Sequence, residues 1–178
     1  MRSIHTLAAA AAIAGGSMLL PLSAMAAGGG GGGGSSDTPN CPQGQVYSQQ
    51  KKMCVTAQSG LIDDKSLADY AYALARAERY EEALSTLDLM ADPNTAEALN
   101  YRGYATRKLG RVDEGVSYYL QAVALDPEYT LVREYLGEAY VIQGKLDMAR
   151  EQLDQIEQRC GTTCEPYRDL AEAIEAAI

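Results

Sequence analysis

The chain has 178 residues, with 15 Lys and Arg against 24 Asp and Glu, a formal charge of −9, and no Trp or Phe. Such an acidic excess repels phosphate backbones and anionic membrane surfaces, which argues against nucleic acid as a partner. The single histidine, His5, stands near the start, so hydrolytic triads and zinc sites that need imidazole in the body of the protein are excluded on inventory.

Arg2, the apolar stretch Leu7 to Leu22 and the small residues Ala24-Met25-Ala26 fit an export signal over residues 1–26. Gly15, Gly16 and Pro21 break the apolar run, so a transmembrane anchor is the weaker reading. No cysteine follows the cleavage point, and a lipid anchor is not expected there. The mature protein is expected to be secreted, with the periplasm as its compartment and no integral membrane segment. Removal of the signal takes away Arg2 and His5 and leaves 14 basic against 24 acidic side chains, a charge of −10. Residues 27–40, with seven consecutive glycines from Gly28 to Gly34, cannot bury apolar surface and read as a flexible tether. A phosphate-binding loop would need a strand before it, a helix after it, and Lys and Ser/Thr at fixed places, none of which is present.

Cys41 and Cys54 flank two short β-prone runs, Gln45 to Ser48 and Met53 to Val55, with a polar turn over Gln49 to Lys52. The expectation for residues 41–58 is a small hairpin closed by a Cys41–Cys54 disulfide, because an isolated hairpin is marginal in water. Its cysteine-bounded pattern resembles hairpins in secreted glycan-binding modules of the peritrophin type, though that family's further cysteines are absent. The resemblance implies an alternative function, saccharide or envelope binding through the hairpin.

From residue 62 to residue 178 the periodicity is helical. Tyr80, Ala83, Leu84 and Leu87 form one stripe; Val112, Val116, Tyr119, Leu120 and Val123 form a second; Leu146, Ala149, Leu153 and Ile156 form a third. Asp126-Pro127 marks a helix stop. Ala96 to Tyr129 laid over the chain from Thr130 matches at an offset of 34, with Gly103 over Gly137, Ala105 over Ala139, Gly110 over Gly144, Val112 over Leu146 and Tyr119 over Leu153. This pattern resembles the tetratricopeptide repeat. The middle unit carries the family's small residue at Gly103, alanines at Ala105 and Ala122, turn glycine at Gly110, aromatic at Tyr119 and proline at Pro127, and departs from it at Arg102 and Gly115. The third unit lacks the proline. An upstream unit, Asp64 to Asn94, keeps Ala71, Ala73, Tyr80, Ala83 and Pro93 but is two residues short in its closing loop.

The expected fold is therefore all-α: a tetratricopeptide-type solenoid of about three helix-turn-helix repeats, plus a C-terminal capping helix and the small N-terminal disulfide-closed hairpin. Residues 165–178 read as the cap, with Pro166 at its start, Tyr167, Leu170, Ala171, Ile174 and Ile178 inward, and Arg168, Asp169, Glu172 and Glu175 outward. Extending the third stripe places Cys160 on its buried side, and a Cys160–Cys164 disulfide would fix the turn into the cap, worth about 2 kcal/mol by loop entropy. A thioredoxin-like centre needs C-x-x-C at a helix start, and a four-cysteine zinc site needs closer pairs. Thiol redox chemistry or copper(I) binding at Cys160 and Cys164 is the third functional reading.

The resemblance implies a non-enzymatic module that binds a protein or peptide partner along a concave groove, with no catalytic residue, metal or cofactor. Carried over by position, the groove would be lined by Lys65, Ala68, Tyr72 and Arg76 in the first unit. The second would add Glu97, Asn100, Tyr104, Arg107 and Lys108, and the third Leu131, Glu134, Glu138, Val141 and Ile142. The places that correspond to the Lys and Asn set of the family's chaperone-tail clamp hold Ala68, Tyr72, Tyr101, Leu131 and Tyr135, and chaperone-tail binding is not expected. The implied groove is bipolar, with Arg76, Arg107 and Lys108 beside Tyr72 and Tyr104 at one end and Glu134 and Glu138 at the other. Tyr104 and Arg107 are expected on a face that packs against nothing in the monomer.

Overall fold

A computed structural model describes residues 41–178 apart from 43, 49 and 58–61. The expected signal peptide, residues 1–26, and tether, residues 27–40, lie outside the described residues. Strands β1 (Gln45–Ser48) and β2 (Met53–Thr56) pair antiparallel with Val46 opposite Val55 and Tyr47 opposite Cys54. The Cys41–Cys54 disulfide closes this hairpin. Val46 and Cys41 are buried in the same apolar cluster as Leu67, Tyr70, Ala71 and Leu74, and the Cys41 amide donates to the Tyr70 hydroxyl at 3.2 Å.

Three helical hairpins follow, α1 (Asp64–Arg76) with α2 (Tyr80–Leu87), α3 (Ala96–Lys108) with α4 (Val112–Leu125), and α5 (Thr130–Ile142) with α6 (Leu146–Cys160). Helix α7 (Glu165–Glu175) packs on α5 and α6. Asp63 caps α1 by accepting from the Ser66 amide at 2.9 Å, and Thr95 caps α3 by accepting from the Ala98 amide at 3.2 Å. In the two later units the turn between paired helices uses glycine at positive φ, Gly110 at 85° and Gly144 at 72°; in the first unit Glu78 takes that place at 61°. The closing hydrogen bond recurs in all three: Arg79 N to Leu74 O at 2.9 Å, Arg111 N to Thr106 O at 3.2 Å, Lys145 N to Tyr140 O at 2.8 Å.

Gly115 stands where the family has alanine, and the packing gives the reason. A Cβ there would lie 2.9 Å from the Gly103 carbonyl oxygen and 3.0 Å from Arg107 Cβ, so α3 and α4 cross backbone to backbone. Arg102, the other departure, pairs with Asp88 at 2.8 Å and lies over the Tyr118 ring.

Three expectations of side-chain direction are corrected. Leu120 is 48% exposed, because α4 turns Gly115, Tyr119 and Ala122 inward; a pure i, i+4, i+8 series drifts off a helix face of period 3.6. Cys160 is exposed at the last turn of α6, where the chain leaves the core, and its disulfide partner Cys164 is half-buried against the cluster that holds Ile156 and Leu170. Ile178 is 85% exposed because α7 ends at Glu175; Leu170 and Ile174 carry the cap's burial. Among the described residues, no helix is long and apolar enough to cross a membrane.

Candidate functional site

The first helices of the three pairs line a concave cavity of about 330 Å³, closed at one end by α7. Its wall is Tyr72 and Arg76 from α1, Tyr104 and Lys108 from α3, Leu131, Glu134, Tyr135 and Glu138 from α5, and Glu165, Pro166 and Asp169 from α7. The helical spacing of three to four residues puts each of these sets on one face of its helix. Tyr72 stacks on Tyr101 with ring centroids 4.8 Å apart, and Tyr104 lies 5.2 Å from Tyr135, so the floor carries Tyr72, Tyr104 and Tyr135, each with its ring against another tyrosine.

Of the residues expected to line the groove, Tyr72, Arg76, Tyr104, Lys108, Leu131, Glu134 and Glu138 are brought together. Asn100 is not: it is fully buried and its amide donates to the Tyr129 hydroxyl at 3.1 Å. Ala68 is buried, while Lys65 pairs with Asp69 and Glu97 outside the cavity, and Ile142 faces solvent. Val141 also lies outside the cavity wall.

Arg107 and Tyr104 do not lie on a bare face. Arg107 is 6% exposed, its Nη2 donates to Glu138 Oε2 at 2.6 Å and its Nε to the Tyr119 hydroxyl at 3.3 Å. The guanidinium also sits 5.7 Å from the Tyr104 ring centroid and 5.9 Å from that of Tyr135. Burial works against its charge, and Tyr119 and Glu138 more than offset it, holding its pKa above the ordinary value. Arg107 therefore ties α3, α4 and α5 together beneath the groove. The cations left on the cavity wall are Arg76 and Lys108, both exposed, with Lys108 Nζ 5.4 Å from the Tyr104 centroid.

At the other end Glu134 is 4% exposed, and its Oε2 has no hydrogen-bond partner among the described residues. Burial pushes its pKa from 4.5 up to about 8; Glu138, Asp169 and Glu165 add to the rise and Arg107 opposes it. A carboxyl with a raised folded pKa contributes its stability below the unfolded value and loses it as pH rises through the folded one. Glu134→Gln should accordingly melt close to wild type at pH 5 and above it at pH 9. Thermal unfolding at the two pH values decides this, and an equal difference at both would contradict it.

Solved structures share this architecture. MamA superposes with a TM-score of 0.54 at 20% identity, over 63% of this chain and 67% of that one. The Yersinia enterocolitica type III secretion chaperone SycD, in complex with a peptide of the translocator YopD, superposes with a TM-score of 0.54 at 17% identity, over 64% of this chain and 90% of that one. PcrH, in complex with the chaperone-binding region of PopB, gives a TM-score of 0.54 at 18% identity, over 67% of this chain and 99% of that one. The fold is a tetratricopeptide-type helical solenoid. No protein-family model matches the chain, and no curated protein matches it in sequence.

Within this solenoid, four residues of the cavity wall stand outside the expected groove lining: Tyr135, noted only at a place of the chaperone-tail clamp, and Glu165, Pro166 and Asp169, which belong to the expected cap. Tyr135 carries a signal, since 131, 135 and 138 follow helical spacing on α5. Asp169 reads as outward-facing, and it does face outward from α7; the outer face of α7 there borders the groove.

Proposed function

We propose that this protein is a non-enzymatic interaction or assembly module that holds an extended segment of a partner protein in the concave groove of its solenoid, outside the cytoplasm. The observation that carries the reading is the cavity itself, in which a tyrosine floor lies between the cations Arg76 and Lys108 and the acidic side chains Glu134, Glu138, Glu165 and Asp169. Tyrosines supply large contact areas at low entropy cost, and charges of opposite sign at the two ends set the direction of a bound chain. That SycD and PcrH hold peptides of YopD and PopB supports the same use of the fold here. The segment from Arg2 to Ala26 supports an exported, periplasmic place of action.

The test is crosslinking in cells from a photoreactive residue at position 72, with the same residue at position 120 on the outer side of α4 as the control. A discrete adduct should form from position 72 and be lost in Arg76→Glu with Lys108→Glu, while melting changes by less than about 0.5 kcal/mol because both side chains are exposed. Adducts from position 120 alone, or an adduct that survives the double reversal, would remove the groove as the site.

A further inference from the structure

The α7 end of the groove gathers more acidic side chains than the cation beside them, Arg107, can pair. Glu134, Glu138, Glu165 and Asp169 all line it. Arg107 is engaged by Glu138 and Tyr119, and Arg133, beside Glu134 in sequence, donates to the Pro127 carbonyl and to Gln152. Glu134 is left buried with its Oε2 unpartnered. A buried carboxyl in that state costs stability: leucine at the position would remove the cost, and glutamine would remove only the part that comes from ionisation. What Glu134 contributes is realised when a donor from outside reaches it.

We propose that the acidic end of the groove is a receptor for one organic cation, the guanidinium or ammonium group of a basic side chain on the partner segment. This rests on the groove being the binding surface and adds the chemistry of what enters it. A divalent metal does not suit the place, since among the described residues no three acidic side chains are set to hold one ion. A guanidinium presents several donors on a planar fork and can satisfy acceptors on two elements at once, here Glu134 on α5 and Asp169 or Glu165 on α7. With Arg76 and Lys108 at the far end, the segment would lie with its acidic part toward α1 and α3 and its basic residue toward α7.

The groups facing Glu134 are Tyr135 and Glu138 on α5, Glu165 and Asp169 on α7, and Arg107 on α3. A bound cation draws Glu134 into its ionised form, so capture should strengthen as pH rises toward 8 and then level off, approaching about tenfold per pH unit on the rising limb.

The probe is N-acetylarginine amide at millimolar concentration, with N-acetylcitrulline amide as the uncharged control of the same shape, added to the disulfide-intact protein. Carbon-13 NMR of the Glu134 carboxyl should show its titration midpoint falling by about one unit or more with the arginine amide and staying put with the citrulline amide. Glu134→Gln and, separately, the exposed Asp169→Asn should each weaken arginine binding severalfold, and Glu134→Gln should flatten its pH dependence. If the midpoint is the same with both amides while crosslinking from position 72 still captures a partner, the cation receptor is wrong and the groove reading stands. If the arginine amide shifts the midpoint and no partner crosslinks from position 72, the receptor stands and the groove reading falls.

Discussion

Arg107→Ala should lower the stability of the protein by about 3 kcal/mol, because it breaks a buried pair and leaves the other half in place. Its side chain is 5% exposed and that of Glu138 27%, so water can take over the role of the guanidinium only in part. The loss has three parts: the 2.6 Å contact with Glu138, the hydrogen bond to the Tyr119 hydroxyl, and the contact of the guanidinium with the Tyr104 and Tyr135 rings, beside which it lies. Arg107→Lys should recover part of it, since an ammonium can reach one acceptor but not reproduce the fork. Lys108→Ala, one residue along and exposed, should cost under about 0.5 kcal/mol. Urea unfolding of the three variants separates them, and a loss below about 1 kcal/mol for Arg107→Ala would show that Arg107 is an ordinary groove residue after all.

Removal of residues 165–178 should give a protein that aggregates. Leu170 is fully buried and Ile174 nearly so, in one cluster with Leu136, Ala139, Ala149 and Ile156, and without α7 that apolar face meets water. The contact is close: a Cβ on Gly137 would fall 2.5 Å from a Leu170 methyl. Leu170→Ala alone should cost about 3 kcal/mol through lost burial and the cavity left behind. In Gly137→Ala the gain in helix propensity, about 1 kcal/mol, is outweighed by overpacking against Leu170. The two substitutions together should cost less than their sum, since each relieves the fault of the other. A truncated chain that stays monomeric with an unchanged melting temperature would overturn this account of α7.

The helical pairs were legible because their constraints are local. Small residues at the crossings, Gly103 and Ala105 or Gly137 and Ala139, and turn glycines at 110 and 144 repeat at a fixed offset. Cys41 and Cys54 announced their bond in the same way, by bracketing a hairpin that needed one. What stayed hidden depends on contacts between units. Arg107 lies 31 residues from the glutamate that holds it, and a charge read in one repeat carries no mark of a partner in the next. Asn100 and Glu134 look like any polar residue on a first helix, yet the neighbouring units close over both. Asp169 reads the same whether the surface it faces is open solvent or a groove.

The hairpin has a consequence for the molecule as a whole. Val46 and Cys41 cover the outer side of α1 as Leu170 and Ile174 cover that of α5 and α6. A pile of helical pairs with bare faces top and bottom can lengthen indefinitely, one copy settling on the next. Here each terminal face has its own lid, and a disulfide is fastened into or beside each one, Cys41–Cys54 at the first and Cys160–Cys164 at the last. Over the described residues the stack of helical pairs is thus finished at both ends by its own chain, which leaves the concave side, and not a terminal apolar face, as the surface open to other chains.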